Sequence, residues 1–491
     1  TPFSFHTGIR ILSAVLKRNG VSTALLHLHE ELGVPDDTET INSRVKEYAP
    51  DLIGFTATTF EYNTANKIAG DLKKAFPEVP VILGGIHATI KPDDLESSNF
   101  DGFCIGEGEN ALTELVNNMI SGKDYTRTGS FRFKTADGIT RNPMLPVVEN
   151  LDDLPFYDME IMDTKTLLQK RNNWLNIGFS RGCPYNCSFC INSLLKKITC
   201  PDGNMKNYLR KNSVDRAIQE LEDIIGKYGK YITVFNFDDD LLMLYKDWMI
   251  EFTGKYEERI HRKYGITYAI NARVETMDAD VVSAMAQSGC REIRIGFETG
   301  SYDLRKKILN KAITDEQLLN AFSLCDRYGI KTNAFSMIGI PGETPETIST
   351  TFRLLSKLKP YLIRLTFLHP IIYTEIYDYC ERHNLFKSNS LMTNQFTESP
   401  LKLEHLSDEE LLRYRLLFPW YLNTYLPVEA AGYTQLIQQF ESLDYAALSQ
   451  PHILQKIISL DKEISEELAG KNLPHYRYFQ NNLYYFQLNG K

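Results

Sequence analysis

Three cysteines lie close together in the segment Arg181-Gly-Cys-Pro-Tyr-Asn-Cys-Ser-Phe-Cys190, which follows an apolar run at residues 175–179. Cys183, Cys187 and Cys190 have the spacing Cys-x3-Cys-x2-Cys. A cubane [4Fe–4S] cluster normally takes four thiolates, one per iron, so three thiolates leave one iron open to a small molecule. A disulfide knot and a zinc site are the alternatives. Zinc takes four ligands, and no second Cys or His pair follows at zinc-finger spacing, so the pattern favours a cluster.

The cysteine segment follows the first of six apolar runs that alternate with amphipathic stretches, a pattern typical of strands joined by helices. The runs predict strands at 175–179, 231–237, 266–272, 292–297, 331–338 and 361–368. The stretches between them predict helices at 213–225, 245–261, 279–287, 315–328 and 345–358. Thr314 with Gln317 predicts a capping box, and Thr344 before Pro345 predicts a second helix start. Strands with helical crossovers form parallel sheets, in which chemistry lies at the carboxyl ends of the strands.

The cysteine spacing and the motifs after these strands resemble the radical SAM superfamily, in which the open iron chelates the amino and carboxylate groups of S-adenosylmethionine (SAM). The resemblance implies a partial (β/α)6 barrel with SAM-binding residues at the carboxyl ends of its strands. The candidates are Phe189, Asp238, Asp239, Asp240, Arg273, Glu298 in Gly296-Phe-Glu-Thr-Gly-Ser301, and Gly339, Pro341 and Gly342 in Ile338–Thr344.

The resemblance also implies a role for most of these candidates. Either Asp239 with Asp240 or Asp238 with Asp239 would accept the SAM amino group, which is a charge-assisted contact. Glu298 would bind the ribose or the amino acid end of SAM. Phe189 and the loop at 338–344 would line the adenine.

The first 120 residues show a second alternation of helices and strands. It predicts helices at 8–19, 41–48, 64–76 and from 110, and strands at 23–28, 52–55, 79–83 and 103–105. Such a doubly wound parallel sheet binds ligands beyond the carboxyl ends of its strands. The residues at those ends are Thr56, Thr58, Thr59, Gly84, Gly85, His87, Gly106 and Glu107. Paired glycines let a flat ligand approach the backbone, and small hydroxyls can donate to its amides.

Three motifs of this region, Leu83-Gly-Gly-Ile-His-Ala-Thr89, Pro92 and Ile105-Gly-Glu-Gly-Glu109, closely resemble the cobalamin-binding domain of the B12-dependent radical SAM proteins. The resemblance covers residues 8–120. It implies that cobalamin is bound by the residues at the strand ends.

The chain departs from that family in two places. The family fold has a strand before the first helix, which we expect to lie upstream of Thr1. Domains with a histidine below cobalt carry Asp-x-His-x-x-Gly, whereas this chain has Ser4-Phe-His6-Thr-Gly8. His6 is therefore not expected to be a cobalt ligand, and His27 and His29 are expected to be solvated or packed in the core.

The composition limits the classes of function. The chain has 491 residues, 43% hydrophobic and 24% charged, with a formal net charge of −9. That length suits about three domains, and no basic stripe suggests a nucleic-acid partner. No apolar run reaches membrane-spanning length, and no signal peptide is visible. Eight cysteines in a chain of this size do not form a disulfide framework, and a cytoplasmic location suits both the thiolates and an oxygen-sensitive cluster.

We predict four regions. A cobalamin-binding Rossmann-like domain spans 1–145, a linker spans 146–172, a radical SAM partial barrel spans 173–385, and a mainly helical, aromatic-rich domain spans 386–491. Ser407 with Glu410 predicts a capped helix in the last region. Its aromatic residues are expected to pack the domain core, and the alternative is a cap over the barrel mouth.

One loop departs from the radical SAM pattern at a position that would face the barrel mouth. The family usually shows Pro-x-Pro-Gly-Thr after the sixth strand, and this chain reads Pro370-Ile-Ile-Tyr-Thr-Glu375. Ile372 and Tyr373 replace the second proline and the glycine. We expect the departure to reflect substrate fit.

The combined resemblance implies an enzyme with three cofactors: a [4Fe–4S] cluster, SAM and cobalamin. In that family an electron from the reduced cluster cleaves SAM to methionine and a 5′-deoxyadenosyl radical, which takes a hydrogen from an unactivated carbon. Methyl transfer from methylcobalamin is the expected outcome. Oxidative cyclisation or rearrangement with the same cofactors and a non-catalytic cobalamin or redox sensor are the alternatives. The expected partners are a small-molecule or natural-product substrate and an electron donor such as flavodoxin or ferredoxin, with no nucleic acid and no membrane span.

Overall fold

The structure is a computed structural model that describes residues 4–201, 203–388, 394–428, 432–480 and 482–489. The chain divides into two compact units. The first unit comprises Thr1–Cys183, Leu194–Asp239 and Tyr264–Ile266. The second comprises Pro184–Ser193, Asp240–Lys263 and Thr267–Lys491.

The amino-terminal part of the first unit is a five-stranded sheet with helices between its parallel strands. The strands are β1 (Ile53–Thr56), β2 (Val81–Gly84), β3 (Gly102–Cys104), β4 (Phe131–Thr135) and β5 (Gly138–Arg141), in that spatial order. The helices are α1 (Thr7–Arg18), α2 (Thr38–Tyr48), α3 (Tyr62–Ala75), α4 (Ile86–Ile90) and α5 (Gly108–Ile120). The pairs β1–β2 and β2–β3 are parallel, as predicted. The pairs β3–β4 and β4–β5 are antiparallel.

Two predictions for this sheet were wrong or incomplete. Residues 23–28, which were expected to form a strand, are irregular in the structure. High β propensity alone does not produce a strand, because a strand also needs a neighbouring strand to pair with. The β4–β5 hairpin was not predicted, although Asp137-Gly138 at its turn is a common hairpin signal.

The first unit also contains the start of the second predicted alternation. Its elements are α6 (Thr164–Lys170), β6 (Trp174–Ile177), β7 (Ser180–Arg181), β8 (Arg210–Lys211), α8 (Val214–Tyr228) and β9 (Val234–Phe237), with α7 (Ile191–Thr199) after the cysteines. β6 pairs with β9 in parallel, from Trp174 with Val234 to Ile177 with Phe237. β7 and β8 form a short antiparallel ribbon, which was not predicted. All four side chains of β9 are buried, as in a parallel sheet covered on both faces, whereas those of β6 alternate between half-buried and buried.

The second unit contains four parallel strands with helical crossovers. Its elements up to residue 367 are α9 (Lys246–Tyr256), α10 (Arg262–Tyr264), β10 (Thr267–Ala272), α11 (Ala279–Gln287), β11 (Cys290–Glu298), α12 (Asp315–Arg327), β12 (Lys331–Ile338), α13 (Pro345–Leu358) and β13 (Leu362–Phe367). β11 pairs in parallel with β10 and β12, and β12 pairs in parallel with β13. The predicted capping box of α12 and the Pro345 start of α13 are both present.

The carboxyl-terminal region is mainly helical, as predicted, but it ends in a hairpin. The elements are α14 (Glu375–Arg382), α15 (Asp408–Leu416), α16 (Phe418–Asn423), α17 (Tyr433–Gln438), α18 (Tyr445–Leu448), α19 (Pro451–Gly470), β14 (His475–Phe479) and β15 (Asn482–Asn489). The capping box of Ser407 and Glu410 starts α15. β15 pairs antiparallel with β13 and with β14, so several of the late aromatic residues are strand residues. No described helix is long and apolar enough to cross a membrane.

Candidate active site

The segment that leads into the cysteines is fixed by Asp239, which follows β9. Its Oδ1 accepts hydrogen bonds from the backbone N–H of Phe179 at 2.8 Å and from the Ser180 hydroxyl at 2.7 Å. Gly182 has φ of +88°, and a Cβ there would lie 2.4 Å from the carbonyl oxygen of Tyr208. Only glycine fits this turn. The hydrogen bonds to the buried carboxylate of Asp239 hold the segment that leads into the cysteines in place.

The segment from Asn186 to Ser188 is held by residues that follow β11. The Ser188 N–H donates to the carbonyl of Leu309 at 3.0 Å, and its hydroxyl donates to the carbonyl of Ile308 at 2.6 Å. The Asn310 amide donates to the carbonyl of Asn186 at 2.8 Å. Backbone carbonyls and amides on both sides of Cys187 therefore have defined partners, which fixes the position of that cysteine.

Cys187 is buried, and its thiol accepts a hydrogen bond from an arginine. The Nη1 of Arg273 lies 3.0 Å from the Cys187 sulfur, and the guanidinium carbon lies 3.7 Å from the centre of the Tyr185 ring. The Nη2 of Arg273 donates to Glu275 at 2.6 Å. A stacked, hydrogen-bonded guanidinium is a rigid positive group next to a metal-ligand candidate.

The three cysteines suit an iron–sulfur cluster in their chemistry. None of the eight cysteines of the chain forms a disulfide, which is compatible with all three serving as thiolate ligands. Among the described residues, no group of three or more His, Cys, Asp or Glu side chains is placed to hold one metal ion. A cubane is a different arrangement, since each thiolate binds its own iron.

The other two aspartates of the predicted SAM motif have separate partners. Asp238 accepts hydrogen bonds from the side-chain amides of Asn176 and Asn236. Asp240 accepts one from Asn192 at 2.8 Å, on the first turn of α7. Asp238 and Asp240 are exposed while Asp239 is buried, so only the exposed pair presents carboxylate oxygens to solvent.

Glu298 lies at a bulge at the carboxyl end of β11 and is paired with a lysine that the sequence did not single out. Its φ is +67°, in the left-handed region that a non-glycine residue adopts at a cost. Its Oε1 accepts a hydrogen bond from the Nζ of Lys311 at 2.7 Å, and both side chains are buried. Lys311 also donates to the carbonyl of Gly296 at 2.6 Å. The pair fixes the carboxylate at a strained backbone position, which is common at functional sites.

The loop Ile338–Thr344 after β12 is closed by a buried carboxylate. Oε2 of Glu343 accepts hydrogen bonds from the N–H of Gly339 at 2.6 Å and of Ile340 at 3.3 Å. Its Oε1 has no hydrogen-bond partner among the described residues. Burial raises the pKa of Glu343 to about 8. Gly339 and Gly342 both have φ of +80°, so this tight loop depends on two glycines.

Phe189, the predicted adenine-lining residue, is brought together with this loop. Its half-buried ring packs against an apolar cluster that contains Ile340, Met337 and Leu304. The structure therefore juxtaposes the aromatic residue beside the third cysteine with the loop at 338–344.

The predicted cobalamin residues lie at the ends of β1 and β2. Gly85 has φ of +87°, and a Cβ there would lie 2.7 Å from the Thr56 hydroxyl. Thr58 is engaged locally, since its N–H and hydroxyl both donate to Glu61. The Thr59 hydroxyl is buried and has no hydrogen-bond partner among the described residues. A close backbone approach and an unsatisfied hydroxyl at these strand ends fit a flat, amide-rich ligand.

His87, unlike the other predicted cobalamin-binding residues near the ends of β1 and β2, has its side chain in the protein interior. Its side chain is 1% exposed and stacks on Tyr62 with ring centroids 3.7 Å apart. Burial lowers the pKa of His87 to about 4, although Asp94, 3.4 Å away, opposes the shift. In this structure the ring packs in the interior, so its contact with a ligand stays a prediction.

Glu107 forms ion pairs with two arginines of the ribbon β7–β8. Its carboxylate lies 3.0 Å from Arg181 Nη1 and also accepts two hydrogen bonds from Arg210. Arg181 also pairs with Glu109. Burial would raise the pKa of Glu107, but the two arginines outweigh it and lower the pKa. The ionised Glu107 side chain therefore joins the loop after β3 to the ribbon. The N–H of Gly106 donates to the Thr89 hydroxyl at 3.1 Å, so contact of either residue with a ligand stays a prediction. Arg181 and Arg210 were missed, since sequence does not show which charges become buried together.

Two protein families match the chain. The radical SAM superfamily matches residues 177–355, and the B12-binding domain matches residues 4–116. The chain therefore belongs to the cobalamin-dependent radical SAM enzymes, with the cluster, SAM and cobalamin as its cofactors.

Individual relatives and solved structures are similar over most of the chain. An uncharacterized methyltransferase of Pyrococcus horikoshii is 27% identical over 85% of this chain and 87% of its own length. The anaerobic magnesium-protoporphyrin IX monomethyl ester cyclase of Rubrivivax gelatinosus is 26% identical over 69% of this chain and 60% of its own length.

The solved structures show the same fold. The cobalamin-dependent SAM radical enzyme OxsB with aqua-cobalamin bound has a TM-score of 0.69 and 14% identity, over 96% of this chain and 70% of its own. The radical SAM methyltransferase TsrM from Kitasatospora setae, with tryptophan and a SAM analogue bound, has a TM-score of 0.63 and 18% identity, over 81% of this chain and 78% of its own.

Proposed function

We propose that this enzyme transfers a methyl group to an unactivated carbon of a small molecule. The observation that carries the proposal is the 27% identity to a methyltransferase along 85% of this chain. A second methyltransferase, the cytidylyl-2-hydroxyethylphosphonate methyltransferase of Streptomyces wedmorensis, is 23% identical over 71% of the chain. When bound, the cluster and SAM supply a hydrogen-abstracting radical, and cobalamin supplies the methyl group.

The residues of this chain would act by holding and orienting those groups. Cys183, Cys187 and Cys190 would bind three irons and leave the fourth for SAM. Glu298, fixed by Lys311, would accept a hydrogen bond from SAM, and Asp240 would accept a charge-assisted hydrogen bond from its ammonium. Phe189 and the loop at 338–344 would enclose the adenine and exclude water from it.

The cobalamin would be bound base-off, without a protein histidine below the cobalt. Support comes from the loop around His6, which lacks the Asp-x-His-x-x-Gly pattern. The ring of His6 lies edge-on to His27, with centroids 6.0 Å apart. The Co(II) form should show an electron paramagnetic resonance spectrum without nitrogen superhyperfine splitting. A nitrogen splitting that disappears in His6→Ala would contradict this assignment.

Tyr373 is the residue that we assign to substrate fit. It holds φ of +66° in the loop after β13, and half of its side chain is exposed. A left-handed tyrosine costs the fold about 1–3 kcal/mol, and such strain is often kept where a side chain has a function. Tyr373→Gly should therefore preserve the fold and weaken substrate binding.

An external electron donor such as a flavodoxin or ferredoxin would reduce the cluster.

Oxidative cyclisation or rearrangement is the second candidate, because the Rubrivivax gelatinosus relative is a cyclase. The two outcomes differ in the mass of the product. Extracts of candidate small molecules should be incubated anaerobically with the reconstituted enzyme, SAM, cobalamin and a reductant, and then analysed by mass spectrometry. We expect a gain of one CH2. A product that has lost two hydrogens would show that the enzyme oxidises its substrate and does not methylate it. The absence of any SAM cleavage would favour a non-catalytic sensor.

A further inference from the structure

We infer that Arg273 sets the reduction potential of the cluster through the sulfur of Cys187. Arg273 directly follows β10, and its Nη1 donates to the Cys187 sulfur at 3.0 Å. Hydrogen bonds to the sulfurs, net charge and solvent exposure are the terms by which a protein sets the potential of an iron–sulfur cluster. Arg273 supplies both a hydrogen bond and a positive charge to the sulfur of Cys187. Because the side chain of Arg273 is itself largely buried, solvent screens that charge only weakly.

Besides the Cys187 sulfur, the guanidinium contacts an aromatic ring and a carboxylate, so its position is built into the fold. Its plane stacks on Tyr185, two residues before Cys187, at 3.7 Å. Its Nη2 is bound by Glu275 at 2.6 Å. The carbonyl of Arg273 accepts hydrogen bonds from the N–H and the hydroxyl of Thr276, at 3.0 and 2.8 Å. The side chain has 11% of its surface exposed, and its Nε has no hydrogen-bond partner among the described residues.

The direction of the effect follows from charge. Reduction adds one electron to the cluster and its thiolates, and a charge-assisted N–H···S bond stabilises the more negative form. Arg273 should therefore raise the potential and make it easier to load the electron. Arginine is specific for this task, because a lysine cannot stack on Tyr185 and donate to the sulfur with the same planar group.

The inference rests on the assignment of the cluster to these cysteines. The experiment is an anaerobic redox titration of the reconstituted enzyme without substrate, in which the reduced cluster is measured by electron paramagnetic resonance. Arg273→Met should still bind iron and sulfide but require a lower potential. We expect the ratio of reduced to oxidised cluster at a fixed poise to fall at least tenfold, which is 59 mV for a one-electron couple. Arg273→Lys should recover only part of the loss.

Arg294→Met is the matched control. Arg294 lies on β11, its side chain has the same 11% exposure, and it donates to the side-chain oxygen of Asn271 at 3.2 Å. Its removal tests whether any buried positive charge has the effect. A wild-type potential in Arg273→Met, or an equal shift in Arg294→Met, would overturn the inference. Failure of the wild-type chain to bind any cluster would instead remove the proposed function.

Discussion

At the scale of single residues, the pair of Glu298 and Lys311 joins stability to the predicted SAM site. Glu298→Gln leaves Lys311 as a buried charge without its carboxylate, so we expect the free energy of unfolding to fall by about 3–5 kcal/mol. If Glu298 also accepts a hydrogen bond from SAM, affinity for SAM should fall about ten- to a hundredfold, since such bonds contribute roughly 1.5–3 kcal/mol. Urea denaturation and SAM titration measure the two effects.

The double variant Glu298→Gln with Lys311→Met separates these roles. It removes both charges, so most of the lost stability should return. Affinity for SAM should stay low, and cobalamin affinity should match that of the wild type in both variants. Recovery of SAM binding together with stability would mean that Glu298 serves the fold alone.

Glu343 predicts a pH dependence of stability. Its pKa is about 8 in the folded chain, because burial outweighs the hydrogen bonds that it accepts from Gly339 and Ile340, whereas the pKa of an ordinary glutamate is about 4.5. Between these values the folded chain holds a proton that the unfolded chain has lost, so stability falls as pH rises, by roughly 1.4 kcal/mol per pH unit. Glu343→Gln keeps the acceptor and removes the titration.

The variant should therefore match the wild type near pH 5 and be more stable by a few kcal/mol near pH 8. Urea midpoints of both proteins at the two pH values test this. An identical decline of both midpoints would mean that Glu343 is ionised in the folded chain.

A substitution at Thr59 tests the predicted cobalamin site at the ends of β1 and β2 without disturbing the fold. Gly85 is a poor probe, because any Cβ would collide with the Thr56 hydroxyl within the protein itself. Thr59→Val keeps the shape and removes a buried hydroxyl without a partner, so stability should be unchanged or slightly higher. If that hydroxyl donates to cobalamin, hydroxocobalamin affinity should fall by about 1 kcal/mol, or roughly fivefold. Unaltered affinity would remove Thr59 from the site.

At the scale of elements, the ribbon β7–β8 is joined to the loop after β3 by the network of Glu107, Arg181 and Arg210. Arg210→Met and Glu107→Gln should each destabilise the chain, and the double variant should be less destabilised than the sum. We expect a coupling of about 1–3 kcal/mol, because the two side chains are in direct contact. Additive effects in this double-mutant cycle would show that the contact contributes nothing.

The elements that the sequence predicted well are those with strong local signals. All six strands of the second alternation and the capped starts of α12, α13 and α15 are present, since long apolar runs and capping residues act locally. The elements that were missed depend on partners far along the chain. β15 needs β13 beside it, and β7 needs β8, so neither could be recognised from its own residues.

In the candidate site, too, the features with local sequence signals were predicted, and those that depend on distant partners were missed. The positions of Cys187, Glu298 and the loop at 338–344 follow from motifs at strand ends. The groups that fix them, Lys311 and Glu343 among them, are buried ionisable side chains whose hydrogen bonds form only on folding. Their burial cannot be read from the sequence, because most Lys and Glu side chains remain at the surface.

At the scale of the whole molecule, we expect one cluster bound by three cysteines in a chain that also binds cobalamin. The control thiols are Cys104 and Cys380, because burial raises the pKa of each to about 12 and keeps it protonated. They should be replaceable by alanine one at a time without loss of iron.

The most direct measurement is iron and sulfide analysis, with formation of 5′-deoxyadenosine from SAM, on the anaerobically reconstituted wild type and on the variant with Cys183, Cys187 and Cys190 all changed to Ala. We expect about four irons and four sulfides per wild-type chain, with SAM cleavage under reducing conditions. The triple variant should bind cobalamin as the wild type does but lack the cluster and SAM cleavage. A full cluster in the triple variant would contradict the account.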